Sequence, residues 1–271
     1  MSNYIQVGFK NIHQLQSEIL IAELAESGYE GFEEEEGSLK AFIPENIFDE
    51  QLLNNIASAG NISYAKKLIK EANWNKVWES NFQPVFVDDF VAIRADFHEP
   101  ISSTQFEIVI TPKMSFGTGH HATTYMMIQQ MQSIDFQNKS VFDFGTGTGV
   151  LAILAEKLGA KKLTAADNDE WSITNAAENI KRNSCSNINL LLSSEVPADR
   201  QFDIILTNIN KNVILANIRT LMQQLKKDGS LLLSGLLNED ESDILSATDK
   251  SGLKLISKME QNSWISLRLS N

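Results

Sequence analysis

The stretch VFDFGTGTGV, residues 141–150, combines residue types that suit ligand binding. An apolar run containing Asp143 ends at Gly145, Gly147 and Gly149, three glycines at alternate positions, and LAILAEKL follows with helical spacing. Glycine takes positive φ readily, and without a Cβ it lets the backbone approach a ligand closely. A strand-to-helix turn of this kind is where doubly wound α/β proteins seat ligands, beyond the carboxyl ends of the strands. Asp167, 24 residues after Asp143, ends the next strand-like run, where an acid can accept hydrogen bonds from both hydroxyls of a ribose. A nucleoside-like ligand follows. The spacing D-x-G-x-G-x-G is not the G-x-G-x-x-G of dinucleotide folds, and no Lys-Ser or Lys-Thr follows as a P-loop requires, so phosphate is not the target.

Two other reactive groups read more plainly. His120 and His121 could suggest a metal, but no Cys or acidic ligand stands nearby at matching spacing, so loop packing or a helix start is expected and no metal. The one cysteine, Cys185, permits no internal disulfide and suits a reducing compartment as a surface or half-buried thiol.

The elements that position these residues alternate. Strand patterns at 141–144, 162–167, 187–192, 202–207 and 229–234 interleave with helix patterns at 150–158, 169–182 and 212–226, the rhythm of a parallel, doubly wound sheet. GLKLISKMEQNSWISLRL then reads as two consecutive strands joined at Gln261-Asn262. Upstream, VFVDDFVAIRADF and TQFEIVITP read as two strands before a helix that begins near His121.

The first quarter reads as β-α-β-β-α-β, the order of a ferredoxin-like α+β sandwich. Ile5, Val7 and Phe9 alternate as in a strand; Ile12, Leu15, Ile19 and Ala22 mark a helix that Gly28 ends; a hairpin turns at Gly37-Ser38; Ile47, Leu52 and Ile56 mark a second helix; and 62–69 supplies a last strand. The acidic run Glu33–Glu36 falls at the hairpin, as a solvated edge or a docking surface for a basic protein. Trp74, Trp78 and Phe82 follow at i, i+4 and i+8, so a short linker helix with an aromatic stripe is expected, packing between domains or lining a cleft.

Composition bounds the rest. A chain of 271 residues with 42% hydrophobic content is long enough for one large and one small domain. No apolar run approaches the roughly 20 residues that span a bilayer, and MSNYIQVGFK lacks the layout of a secretory signal, so a soluble, cytoplasmic protein is expected, with no membrane partner. The net charge of −12, with no lysine pair growing into a patch, argues against direct nucleic-acid binding. Residues 1–72 hold 12 acids and 5 bases, net −7, leaving −5 of the total −12 for the rest; an acidic first quarter suits a basic partner.

DFGTGTG, then AADND, then TNIN resemble the S-adenosylmethionine site of class I methyltransferases. With MSFGTGHHATT, GVLAILAEKLGAKKL, FDIILTNIN and GSLLLSGLL, the whole chain resembles the PrmA family, which methylates protein eleven of the bacterial large ribosomal subunit. The resemblance implies a doubly wound, mostly parallel class I methyltransferase sheet over 85–271, a ferredoxin-like substrate-recognition domain over 1–72, and a linker helix over 73–84. It implies S-adenosylmethionine as cofactor, contacted by Thr124, Gly145, Asp167 and Asn208, with Gly147 and Gly149 completing the turn. The implied partner is the basic ribosomal protein eleven. The sequence departs from the family at TPKM, with Pro112 and Lys113, and at Ala122 and Thr207, where proline and alanine are more usual.

Methylating a lysine imposes a chemical demand. An amine of pKa near 10.4 is protonated at pH 7, and the gap of roughly 3.4 pH units corresponds to about 4.6 kcal/mol. A desolvated, uncharged pocket lowers that cost, and a neutral acceptor such as the Asn208 side chain can aim the lone pair; no general base is assigned. Two other readings stay open: a methyltransferase of small molecules or nucleic acid, weakened because TNINKN lacks the proline pair of an NPPY-type tetrapeptide, and a non-catalytic S-adenosylmethionine-binding protein.

Overall fold

The computed structural model describes residues 3–35, 37–69, 82–112, 119–197, 200–249 and 252–270. The chain divides into two compact units, Met1–Asn81 and Phe82–Asn271.

The first unit runs β1 (Tyr4–Lys10), α1 (Gln14–Glu26), β2 (Gly31–Glu35), β3 (Ser38–Pro44), α2 (Glu50–Ala59) and β4 (Tyr64–Ile69). Its sheet has the order β2-β3-β1-β4 with every pair antiparallel, the ferredoxin-like arrangement that the element order implied. Val7, Phe9, Leu39, Ala41 and Ile43 meet Leu20, Leu24 and Leu53 in its core.

Both helices turn a different face inward from the one their apolar spacing suggested. On α1 the buried residues are Ser17, Leu20 and Leu24, while Leu15 and Ile19 are exposed. Apolar residues occupy more than one face of that helix, and the Ser17 hydroxyl is accommodated inside by donating to Glu34 Oε1. On α2, Leu53 and Ala57 are buried and Ile47 and Leu52 are exposed, because Asp49 caps the helix through Gln51 N and Leu52 N and so starts it after Ile47. Glu33, Glu34 and Glu35 of the acidic run lie on β2, an edge strand, where Lys40 pairs with both Glu33 and Glu35; Glu36 lies outside the described residues.

The expected linker helix over 73–84 lies, as far as residue 81, outside the described residues.

The second unit opens with β5 (Val85–Val87), β6 (Val91–Ala95) and β7 (Phe106–Ile110). The segment 85–97, expected as a single strand, is therefore two antiparallel ones; the chain reverses at Asp88, whose φ of 49° an aspartate tolerates. Next come α3 (Ala122–Met131), β8 (Ser140–Phe144), α4 (Val150–Lys157), β9 (Lys162–Asp167), α5 (Glu170–Arg182), β10 (Ile188–Leu192), β11 (Phe202–Asn208), α6 (Lys211–Gln224) and β12 (Leu225–Leu237). A short helix that left no clear period in the sequence, α7 (Glu241–Asp249), precedes β13 (Lys254–Gln261) and β14 (Trp264–Ser270).

The large sheet has the order β10-β9-β8-β11-β12-β14-β13, parallel from β10 to β12, with β14 antiparallel to both of its neighbours. Two apolar cores hold it, one containing Met127, Val141, Ile153, Leu154 and Leu206, the other Phe142, Ile205, Ile214, Leu233 and Leu267. Strand order reverses between β8 and β11, and the crevice at such a switch point, beyond the carboxyl ends of the strands, is where this architecture binds ligands.

Candidate functional site

A cavity of about 570 Å³ opens at that switch point, within the range of small-ligand sites. Thr124, Gly145, Gly147, Asp167 and Asn208, named from widely separated parts of the sequence, all line it. Asp167 is the one charged side chain among its described lining residues.

The glycine turn is shaped by backbone geometry. Gly145, Gly147 and Gly149 have φ of 80°, 55° and 83°, in the left-handed region that favours glycine. A Cβ on Gly145 would stand 2.2 Å from Ile209 Cγ2, so the bare backbone lets the turn lie against the end of β11. Gly149 does not line the cavity. It is the N-cap of α4, and the side where a Cβ would stand faces Ala176 of α5 at 3.4 Å.

Asp167 does more than border the cavity. Its Oδ2 accepts from Gly147 N (2.9 Å) and its Oδ1 from Asp169 N (3.1 Å), so the carboxylate ties the turn to the end of β9. Each carboxylate oxygen retains a lone pair for a further donor. Asp143, by contrast, is sealed beneath the turn: its Oδ2 accepts from Thr146 Oγ1 (2.7 Å), and burial pushes its pKa up to about 7, with the nearby Asp167 charge adding to the rise.

Asn208 ends β11. Its Nδ2 donates to Thr124 Oγ1 (3.3 Å) on α3, joining residues 84 positions apart. Its Oδ1 is buried without a hydrogen-bond partner, an unused acceptor on a residue that lines the cavity. Such atoms are uncommon in folded proteins because each forfeits its hydration.

His121 also lines the cavity, and it starts a helix, as expected: its Nδ1 caps α3 by accepting from Thr123 N (3.3 Å) and from the Thr123 hydroxyl (2.8 Å). Its ring meets Trp264 edge-to-face at 4.8 Å. His120 turns away and donates through Nε2 to the Gln83 carbonyl (2.9 Å). Among the described residues no group of His, Cys, Asp or Glu could hold a metal ion. Cys185 is half-buried, and burial pushes its thiol up to about 11, which disfavours the thiolate at neutral pH.

Sequence reasoning missed Trp264, Ser193, Ser194, Ile209 and Gly235 in the cavity wall. Gly235 carried a usable sign, a glycine in SGLL near a strand's carboxyl end: its φ is 80°, and a Cβ there would stand 2.2 Å from the Ile209 carbonyl oxygen. Trp264 carried none, because only the antiparallel pairing of β14 with β12 brings it to the site. The TPKM departure extends past Pro112 into residues 113–118, outside the described residues.

Comparison with known proteins decides the family. The family described as "Ribosomal protein L11 methyltransferase (PrmA)" matches residues 6–271. The chain belongs to this family. The Ribosomal protein L11 methyltransferase of Porphyromonas gingivalis is 38% identical over 93% of this chain and 90% of that protein. That of Phocaeicola vulgatus is 34% identical over 98% of each. The crystal structure of ribosomal protein L11 methylase from Lactobacillus delbrueckii subsp. bulgaricus superposes with a TM-score of 0.65 at 30% identity, covering 70% of this chain and 99% of that one. The PrmA family resemblance and the class I methyltransferase fold are thus both established, and the chain is an S-adenosylmethionine-dependent methyltransferase whose substrate is ribosomal protein L11. No helix among the described residues is long and apolar enough to cross a membrane.

Proposed function

We propose that the cavity holds S-adenosylmethionine against the glycine turn and that Asn208 aims an incoming amine of ribosomal protein L11, a lysine side chain or the chain's N-terminal amine. The observation that carries this reading is the buried, unpartnered Asn208 Oδ1. When bound, S-adenosylmethionine supplies an electrophilic methyl group on a sulfonium, open to in-line displacement by a neutral amine.

The residues present fit that group. Asp167 offers one free acceptor position on each oxygen for the two ribose hydroxyls, while its existing bonds keep the carboxylate fixed. Gly145 and Gly147 present bare backbone to the ligand, and Gly149 serves from behind by letting α4 start close against α5. Thr124 borders the ligand and holds the Asn208 amide through its hydroxyl.

With Nδ2 committed to Thr124, Asn208 can only present Oδ1 to a donor. A neutral oxygen accepts one N–H of the amine and leaves the lone pair free to point elsewhere, whereas a carboxylate there would hold the amine as a cation. Asp167 is the sole carboxylate among the described lining residues, and with its oxygens assigned to the ribose hydroxyls no second carboxylate among them holds the amine as a cation. Trp264 and His121 add apolar surface that excludes water.

The first quarter of the chain, residues 1–72 with net charge −7, is assigned to substrate recognition, because a basic ribosomal protein complements it. The net charge of −12 opposes direct nucleic-acid binding, and a ribosomal substrate puts the enzyme in the cytoplasm. The test is incubation with radiolabelled S-adenosylmethionine and an unmethylated ribosomal extract. Label in L11 supports the reading, label in RNA supports a nucleic-acid methyltransferase, and no label supports a non-catalytic binding protein.

A further inference from the structure

Helix α5 carries Asn175 and Asn179 at i and i+4, both fully buried, and Asn183 at i+8 is its C-cap. An amide buried in the midst of a helix is costly unless its donors and acceptor are matched. Asn179 makes three matched bonds: Nδ2 donates to the Thr148 carbonyl (2.9 Å) and to Asn175 Oδ1 (3.0 Å), and Oδ1 accepts from Thr111 N (2.8 Å). Two acceptors on one side and one N–H donor on the other fix which way the amide faces.

The two backbone partners come from different elements. Thr148 sits inside the glycine turn, between Gly147 and Gly149. Thr111 directly follows β7, whose last residue is Ile110. Asn183 offers a natural comparison. Its side chain pairs with both backbone groups of Val109 (2.9 and 2.7 Å) on the same edge of β7, yet no hydrogen bond is found from it to the turn.

We propose that Asn179 is a positioning residue, which fixes the glycine turn relative to the end of β7 and thereby holds the backbone against which the cofactor lies. Glycines flank Thr148 on both sides, and Asn179 adds a tie at Thr148 to the one that Asp167 makes at Gly147. The inference rests on reading the cavity as the S-adenosylmethionine site.

The test measures S-adenosylhomocysteine affinity by calorimetry, thermal midpoints, and kcat at saturating cofactor and L11 for two variants of the full chain. Asn179→Ala should weaken S-adenosylhomocysteine about tenfold, the scale of one or two lost hydrogen bonds, and should lower kcat as well. Asn183→Ala should lower the thermal midpoint yet keep affinity within about twofold of wild type, because it removes the bonds to Val109 and one to the Asn179 carbonyl but leaves the Asn179 side-chain bonds to Thr148 and Thr111 in place. A folded Asn179→Ala protein with wild-type affinity overturns the proposal, and so does an equal loss in Asn183→Ala. If Asn179→Ala does not fold, the isosteric Asn179→Asp substitutes: it retains the acceptor for Thr111 N, turns an oxygen toward the Thr148 carbonyl, and should show the same loss of affinity. Amide exchange in the ligand-free protein separates the two levels of the argument. Thr111 N–H should exchange faster in the Asn179 variant, and unchanged exchange overturns the tie even if the wild-type chain binds no S-adenosylhomocysteine and the cofactor reading itself fails.

Discussion

Asn208→Ala is the sharpest perturbation of the proposed chemistry. The change removes the buried Oδ1 and the 3.3 Å bond from Nδ2 to Thr124 Oγ1. The two losses differ in size. A neutral hydrogen bond of that length contributes at most about 1 kcal/mol to stability, so folding and cofactor affinity should change little. Oδ1, if it holds an amine that gains positive charge as the methyl arrives, makes a charge-assisted bond of about 1.5–3 kcal/mol, or roughly 10- to 150-fold in kcat. The assay is kcat at saturating S-adenosylmethionine and L11, beside calorimetry with S-adenosylhomocysteine. The expected result is a fall in kcat within that range with cofactor affinity preserved to about threefold. Wild-type turnover in a folded variant refutes the reasoning, and so does a loss of cofactor affinity as large as the loss of kcat. Asn208→Asp sharpens the test: a carboxylate beside the amine stabilises its protonated form, so this variant should recover activity only as pH rises.

Further outcomes follow from the same geometry. Asp167→Ala should weaken cofactor binding by about 1.5–3 kcal/mol, which calorimetry on folded protein checks, since it removes both the proposed ribose acceptor and the bond to Gly147 N. Gly235→Ala would push a Cβ to 2.2 Å from the Ile209 backbone, which cannot swing aside, so both the thermal midpoint and methyl transfer should drop; an unchanged midpoint contradicts the packing described. The Asp143 carboxyl titrates near 7 in the folded chain against an ordinary 3.8. Between those values the folded state keeps a proton that the unfolded state has lost, so this group makes stability fall as pH rises from about 4 to 7. Asp143→Asn should therefore gain thermal midpoint over wild type at pH 8 and lose that gain near pH 4; an advantage that does not vary with pH is inconsistent with the shift. Deleting residues 1–81 should leave S-adenosylhomocysteine binding nearly intact and abolish efficient L11 methylation, because the described residues that line the cavity all lie beyond 120 and the larger unit has its own cores. In the full chain, the KM for L11 should rise with salt as the Debye length shrinks from roughly 10 Å at 0.1 M to 3 Å at 1 M.

Much of this was legible because strands, turns and glycines leave local marks. The alternation from β8 to β12 follows apolar runs bounded by turn residues, and the hairpin at β13–β14 turns on Asn262 and Ser263, both at positive φ. Five of the six expected cofactor residues line one cavity: Gly145, Gly147, Asp167 and Asn208 end or follow a strand, and Thr124 stands in the first turn of α3. Helical faces were less legible. Leu15, Ile19, Leu20, Ile21 and Leu24 spread over more than one side of α1, and only docking on the sheet selects Leu20 and Leu24 for burial. Long-range partnerships were not legible: Trp264 reaches the cavity through sheet order, and Asn179 reads as an ordinary polar helix residue until Thr111 and Thr148 are brought to it.

The central claim is that this chain transfers methyl groups to amines of ribosomal protein L11. Its most direct test is mass spectrometry of purified, unmethylated L11 after incubation with the enzyme and S-adenosylmethionine, with Asn208→Ala enzyme in parallel. The account predicts that L11 gains mass in whole-methyl increments that map to lysine side chains or the N-terminal amine, with far slower gain from the variant. L11 that keeps its original mass under wild-type enzyme shown to bind S-adenosylhomocysteine, or methyl groups that map to atoms other than amine nitrogens, would contradict it.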